Sequence, residues 1–480
     1  MASSQIGDLV PNSGNPASGM QVLGPNGVNE APYHQQALVA APRFGFAYDV
    51  FGDGKTAFRG GWGIFYNRLD GNQYYGLSGQ APIAYNVGVS NLTLGAISAA
   101  NTGTVPSLSS QAGVTPIAPT VYPANVPWDT VQSASAGLQH TFGGNLVVDL
   151  GYTLQYVYHE HLTYDENYIP VGAGWPFNGA NLDPTTGGST SNNLNTNLQR
   201  TIYPGYGSIT VNQFYGHSNY NALTSTVNKR YSHGLAIGGA YTFSKALGTT
   251  SYTPVLTGVG TPTNEAWNYG RIGTDRRSNL QINYSYDIPG PAKALGVKGL
   301  GYITDHWQLS GITSVQSGAP FNPGCGLTSG AAGVTGGYTG TPDLGQRCQV
   351  LGNPLTNVPV GTYFNPNVFA MPALATGPNN SIVGPPALGN AGGGSGILSY
   401  PRITNFDMTL TKMIPLGSEK RVLKIQAQAY NVFNHSEFNG MNTGITFNPT
   451  TNQVSNATAV GLPTGTAGAR IMAFSARLQF

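Results

Sequence analysis

The final segment of the chain, Gly468 to Phe480, places Met472, Phe474, Ala476, Leu478 and Phe480 on one side of an extended backbone. Ala473, Ser475, Arg477 and Gln479 fall on the other. Apolar and polar positions alternating with a period of two mark a strand whose faces meet different surroundings. About 9–11 residues of such alternation suffice to cross a membrane as a tilted strand.

The pattern recurs. Leu280, Ile282, Tyr284, Tyr286 and Ile288 oppose Asn279, Gln281, Asn283, Ser285 and Asp287. Leu423, Ile425, Ala427 and Ala429 oppose Lys424, Gln426, Gln428 and Tyr430, and Phe406, Met408 and Leu410 oppose Asn405, Asp407, Thr409 and Thr411. Leu146, Val148, Leu150, Tyr152 and Leu154 stand against Asn145, Asp149 and Thr153. A soluble β-sandwich also hides one face of each strand. The polar faces here stay polar strand after strand, which favours an all-β fold: a transmembrane antiparallel β-barrel with lipid outside and water inside. The inward charges predicted to line that lumen are Arg43, Arg59, Asp149, Asp287, Asp407 and Lys424.

Taken in order, residues 1–41 read as an N-terminal loop segment and 42–480 as the barrel segment. Strands are expected at about 42–49, 55–66, 128–142, 144–155, 219–231, 234–247, 273–288, 303–318, 401–414, 420–434 and 468–480. Phe51-Gly52-Asp53-Gly54, Gly143-Gly144, Ser232-His233-Gly234 and Pro415 to Glu419 supply short turns, the Asp-Gly pair being a strong hairpin signal. Long loops are expected at about 67–127, 159–218, 248–272, 319–400 and 435–467. Within the second, Ser208–Tyr215 alternates weakly and reads as a loop hairpin or an extra strand. Bacterial barrels have short periplasmic turns and long extracellular loops, so the alternation assigns each strand end to a side. The first and last strands then both descend. With about 11–12 strands present and an even number required in a closed single-chain barrel, the chain is expected to be the back portion of a larger one.

Composition agrees. Only 8% of the 480 residues are charged and 67 are glycine, against about 25% charged in ordinary soluble domains. No apolar run approaches the length of a membrane helix. The net charge of +2 and the lack of a basic cluster with interleaved aromatics argue against nucleic acid. Cys325 and Cys348 share one Gly/Pro-rich segment and are either a loop disulfide of an oxidising compartment or two unpaired thiols. Met1 to Asp8 has neither the charged nor the apolar region of a signal peptide. Met1 is therefore expected not to be the natural start of a complete protein.

Several segments resemble a known family. They are Ala41-Pro42-Arg43-Phe44-Gly45-Phe46-Ala47-Tyr48-Asp49, Phe51 to Thr56, Arg59-Gly60-Gly61-Trp62-Gly63-Ile64-Phe65-Tyr66, and Ser218-Asn219-Tyr220-Asn221-Ala222-Leu223. Tyr241 to Leu247, Asp275-Arg276-Arg277, Asn431-Val432-Phe433-Asn434-His435 with Phe438, and Arg470 to Phe480 continue the match. Together they resemble the barrel of Oar-like TonB-dependent outer-membrane transporters, from about residue 42 to the end and in the family's order. The resemblance implies a barrel of about 22 strands, a plug inside it, and a periplasmic TonB contact that powers uptake of large ligands. No segment here matches the plug or the TonB contact, so the chain resembles the C-terminal half. Its expected partners are outer-membrane lipid, the missing barrel half and plug, TonB only through that plug, and an unknown extracellular ligand. Met472, Phe474, Ala476, Leu478 and Phe480 form the expected barrel-assembly strand.

Catalytic motifs fail on inspection. Gly54-Lys55-Thr56 imitates the end of a phosphate loop, but Asp49 stands where the first glycine belongs. Gly394-Ser395-Gly396 imitates a nucleophile elbow, but Ile397 breaks it. His159-Glu160-His161 would aim two imidazoles the same way if extended, enough to grip a metal but not to enclose one; a polar loop base is the competing reading. Neither a catalytic site, a metal nor a cofactor is expected. Import of a large ligand is the leading reading and a surface-exposed, adhesin-like binding barrel the alternative.

Overall fold

The alternating segments become one antiparallel path of eleven strands, each paired with its neighbours in sequence order. These are β1 (Arg43–Asp49), β2 (Thr56–Asn67), β3 (Asp129–Phe142), β4 (Leu146–Asp165), β5 (Thr210–Ser232) and β6 (Leu235–Gly248). β7 (Ser278–Ile288), β8 (Trp307–Gln316), β9 (Ile403–Pro415), β10 (Val422–Tyr430) and β11 (Ile471–Gln479) complete it. Thr120–Val121 and Gly270–Arg271 pair off the path. The computed structural model describes residues 33–68, 118–168, 206–249, 268–292, 299–328, 347–372, 389–392, 396–417, 421–448 and 451–480, with Gly71, Tyr75, Ile202, Tyr203 and Gly296 beside them. Residues 1–32 and the middles of the connections expected at 67–127, 159–218, 248–272 and 319–400 lie outside the described residues. Among the described residues, no helix is long and apolar enough to cross a membrane.

Short turns gather at one end of the sheet and long connections at the other. The tight hairpins use left-handed residues: Gly144 and Asn145 between β3 and β4, and His233 and Gly234 between β5 and β6, as turns matched to strand twist require. Asp49 secures the β1–β2 turn by accepting from the backbone N–H of Gly52 (3.1 Å) and Gly54 (2.8 Å). β1 runs toward this turn end. So does β11, whose Ile471 pairs with Tyr430 and Gln479 with Val422. Among the described residues β1 pairs only with β2, and β11 only with β10.

Two strands are longer than their alternation suggests. β4 runs on to Asp165 and β5 begins at Thr210, so the loop expected at 159–218 starts and finishes as paired strand. Ser208–Tyr215, expected as a hairpin or extra strand, instead leads into β5, whose residues from Thr210 pair with β4. Two register shifts between Tyr158 and Leu162, with His159 at φ 62°, hide the continuity. A bulge inserts an unpaired residue and exchanges the faces. The 435–467 connection likewise holds short strands, Phe438–Met441, Gly444–Phe447 and Pro463–Thr466.

The buried apolar core lies mainly at the loop end. Phe321, Phe364, Phe369, Met371, Leu398, Met441, Ile445 and Phe447 pack with Cys348 and Val460 into one cluster. Phe364 meets Phe321 and Phe369 edge-on, at 6.0 Å in both cases. Parallel pairing of Gly324–Leu327 with Gly444–Phe447 ties the β8–β9 connection to the β10–β11 connection. Cys325 and Cys348 are disulfide-bonded beside it, their Cα atoms 5.5 Å apart. A second cluster, Val121, Tyr206, Ile209 and Val211, sits over β4 and β5. There the fully buried Asn167 donates to the carbonyls of Tyr203 (3.0 Å), Tyr206 (3.2 Å) and Gly207 (2.9 Å).

Opening the disulfide by Cys348→Ser should cost the loop cluster about 3 kcal/mol, the loop-closure value for a ring of this size. The expected readout is faster proteolysis within 319–400 with the eleven-strand ladder still β-rich by far-UV dichroism; loss of the ladder as well would show that sheet and cap fold as one unit. In the ladder, a Cβ at Gly311 would stand 2.5 Å from the Tyr284 hydroxyl and 2.7 Å from the Asp407 carbonyl oxygen. The second contact is backbone and cannot yield, so Gly311→Val should lower the urea midpoint by the equivalent of about 1–3 kcal/mol. Gly239→Ala, with nothing within 4 Å of the new Cβ, is the control and should leave it in place.

Candidate functional site: two unlike sheet faces

The register fixes which side chains share a face. Phe44 pairs with Trp62, Phe46 with Gly60 and Tyr48 with Phe58; Phe58 then pairs with Leu138, and Leu138 with Leu150. The same face continues through Leu223 and Phe243, Ile282 and Tyr284, Leu309 and Leu410, and Ile425 with Ala476. It ends on the predicted assembly strand, where Met472, Phe474 and Leu478 pair with Ala429, Ala427 and Leu423. Large apolar side chains are exposed along it from Phe44 (68%) to Phe474 (74%). In water so broad a patch would be a liability. Phe480 follows the last ladder residue and is exposed as well.

The opposite face collects the predicted charges. Arg43, Arg59, Asp149, Asp287, Asp407 and Lys424 all have the alternate parity and stand on it together. Arg59 Nη2 donates to Asp149 Oδ2 at 2.9 Å across the intervening β3 strand, and also reaches Gln139 Oε1. Asp287 accepts from Gln308 Nε2 (2.8 Å) and from the Tyr231 hydroxyl. Asp407 accepts from the backbone N–H of Asn431 at 2.9 Å. Arg43 lies 4.7 Å over the ring of Phe65, an aromatic exception on this side. Between these anchors Ser314 donates to Gln281 (2.6 Å) and Gln426 to Thr411 (3.2 Å). The face is a hydrogen-bonding wall whose charges stay wet; the Arg59 side chain is 50% exposed.

Among the described residues, no three His, Cys, Asp or Glu side chains gather on this wall to hold a metal. The His159-Glu160-His161 pair does not form as extended chain predicts. The bulge at His159 sends its Nδ1 to the Trp128 carbonyl (3.1 Å), while His161 Nε2 contacts Asn212 Oδ1 (2.5 Å) and Glu160 accepts from Ser218 (2.7 Å). In the cap, burial pushes the Arg347 guanidinium down to about 10, which leaves it a cation at neutral pH.

Sequence reasoning missed Lys412, which occupies an apolar-face position of β9. It is nearly buried at the turn end: Nζ donates to the carbonyls of Ile303 (3.3 Å) and Asp305 and lies 5.3 Å from the centre of the Trp307 ring. The short helix α1 (Gly301–Thr304) supplies the first of those carbonyls. A lysine inside an apolar alternation was the available signal.

The chain has matches among known proteins. An outer membrane beta barrel domain family matches residues 2–473. Among solved structures the chain is similar to the outer membrane transporter YddB from Escherichia coli, at 10% identity and a TM-score of 0.39, covering 92% of this chain and 40% of that one. It is similar to FpvA of P. aeruginosa (10% identity, TM-score 0.39, 92% and 33%) and to BauA, the ferric preacinetobactin receptor from Acinetobacter baumannii (11%, 0.36, 92% and 36%). The chain spans less than half the length of each of these three. No match was found among curated protein sequences. A ladder with one apolar and one polar face, matched over nearly its whole length, belongs to the outer membrane beta-barrel domain family, and its place is the outer membrane of a Gram-negative bacterium.

Proposed function

We propose that this chain is the C-terminal barrel part of an Oar-like TonB-dependent receptor that takes up a large extracellular ligand, with no catalytic step of its own. The observation that carries the reading is the unfilled polar face. In an eight-stranded barrel inward side chains meet across the lumen and fill it; much wider barrels hold water or a plug. Here eleven strands already contribute to the wall, and in the Arg59–Asp149 pair the arginine side chain stays 50% exposed and the aspartate 29%. Such a wall suits a lumen occupied by a separate plug. The segments resembling the Oar-like barrel supply the transporter assignment. The cap of packed outer connections supplies a surface on which a ligand is selected.

The same path supports a missing part. β1 and β11 run in the same direction, so pairing them to each other would be parallel. Setting a second copy edge to edge gives the same mismatch. Antiparallel closure needs an odd number of further strands between them, as in a barrel completed by an upstream half.

Two experiments bear on this. In the host, deleting the segment encoding 42–480 should abolish protonophore-sensitive depletion of one large solute from the medium, measured by mass spectrometry and restored by complementation. Unchanged depletion with loss of surface attachment would instead favour an adhesin-like barrel. Independently, the double variant F46C/F474C places one cysteine on each edge strand. No intramolecular crosslink between them is expected in the folded protein, and an efficient one would mean that the eleven strands close on themselves.

A further inference from the structure

Charge is distributed unevenly between the two faces. The aspartates of the ladder short of the β4 bulge, Asp49, Asp129, Asp149, Asp287 and Asp407, all have polar-face parity; Asp165 ends β4 beyond that bulge. The apolar face carries cations instead, and only toward its margins. Lys229 and Lys412 stand at the turn end, and Lys245 near the loop end. Arg277 places its guanidinium 5.8 Å from the centre of the Phe243 ring, also near the loop end of that face.

The loop-end margin is most developed beside β9–β11. A cleft of about 540 Å³ lies there, lined by Tyr363, Arg402, Phe433, His435 and Phe438 among others. Phe433 meets Phe406 edge-on at 5.0 Å. Phe406 is an apolar-face residue, in register with Thr313 two positions along from Met408 and Gly311, so the cleft adjoins the lipid side rather than the polar wall. Tyr363 and Phe438 pack edge-on at 6.1 Å as its aromatic flank. Arg402 is exposed. Arg470 is held next to the cleft, its backbone N–H donating to Asn434 Oδ1 (3.0 Å) and its Nη1 to the Val432 carbonyl (3.3 Å). Glu437, a carboxylate close by, is nearly buried; it accepts from the Thr404 backbone N–H (2.7 Å) and contacts His435 Nδ1 (3.0 Å).

We propose that Arg402 and Arg470 bind the phosphate of a phosphorylated glycolipid headgroup in the outer leaflet, whose acyl chains lie along Phe433, Phe406 and the apolar face below. Guanidinium groups match phosphate in charge and in paired donor geometry. Aromatic side chains collect at the depth where headgroups meet hydrocarbon. Basic pockets at that depth select anionic lipids. A lipid satisfies both halves of the site, whereas free phosphate leaves the aromatic half unused.

The test uses the full-length protein extracted from the host outer membrane. Binding of a diphosphorylated glycolipid, its dephosphorylated form and inorganic phosphate is compared by native mass spectrometry and competition. The wild type should retain the diphosphorylated lipid, and R402A/R470A should hold it about tenfold less tightly or worse while keeping its heat-modifiable gel mobility. The dephosphorylated lipid should bind the wild type as weakly as the variant binds the parent lipid. K424A/R477A, which removes two cations from the polar face, should bind like the wild type. Equal retention by R402A/R470A, equal binding of the dephosphorylated lipid, or an equal loss in K424A/R477A would each overturn the proposal. Displacement by millimolar inorganic phosphate would identify a free-anion site instead, and would overturn it too.

Discussion

Everything in this molecule answers to one constraint: a backbone N–H or C=O inside hydrocarbon has no water to bond and must find a partner in the chain. Strands satisfy it only by pairing on both sides, and pairing fixes the side chains into two alternating sets. The chain uses that forced alternation to separate lipid from water. Phe46, Phe58, Leu138, Leu150, Leu223 and Phe243 are exposed although apolar, because the solvent on their side is hydrocarbon. Asp149 and Arg59, one register position away, meet across β3 on the wet side. The same constraint makes the edges of β1 and β11 the costly places, since each has one side unpaired among the described residues.

A sheet of this kind buries little of itself, so the compact core has to lie where water returns. The outer connections are long enough to enclose one. Phe364, Phe447, Ile445 and Val460 are the largest fully buried side chains of the larger cluster, and its disulfide and the parallel pairing at Cys325 and Ile445 hold two distant connections together. Ladder stability thus comes from backbone pairing within a membrane, and cap stability from ordinary hydrophobic burial. The two parts obey different solvents, which is why a lesion in one need not unfold the other.

Legibility followed the same division. The eleven ladder strands could be read from period-two alternation, because each residue's surroundings depend only on parity; Leu280 to Ile288 against Asn279 to Asp287 is enough to name both faces. Reading stopped where parity broke. The two register shifts around His159 interrupt the alternation, so the outer extensions of β4 and β5 read as loop. The cap was illegible for another reason. Gly324–Leu327 pairs with Gly444–Phe447 across more than a hundred residues, in strands too short to show a period. Lys412 was hidden because its partners are backbone carbonyls on α1 and beyond it, and carbonyls leave no mark in a sequence. The rim cations were visible one by one, but nothing in their spacing placed Arg402 and Arg470 about one cleft.

The placement of cations at the two margins follows from the same physics with opposite solutions. A lysine on the lipid side near the turn end has to be either hydrated or given acceptors, and Lys412 is given carbonyls and an indole face within a fold-back of the β7–β8 connection. Near the loop end Lys245, Arg277 and Arg402 are left exposed at the water boundary, where long basic side chains reach the headgroup layer from an apolar base. Carboxylates have shorter stems and no such escape, and Asp49, Asp129, Asp149, Asp287 and Asp407 all stand on the polar wall. That asymmetry means the apolar band is specified at its borders as well as along its middle. The chain's vertical position in the membrane is therefore set by the side chains that end the alternation, and the alternation itself sets only which way each residue faces.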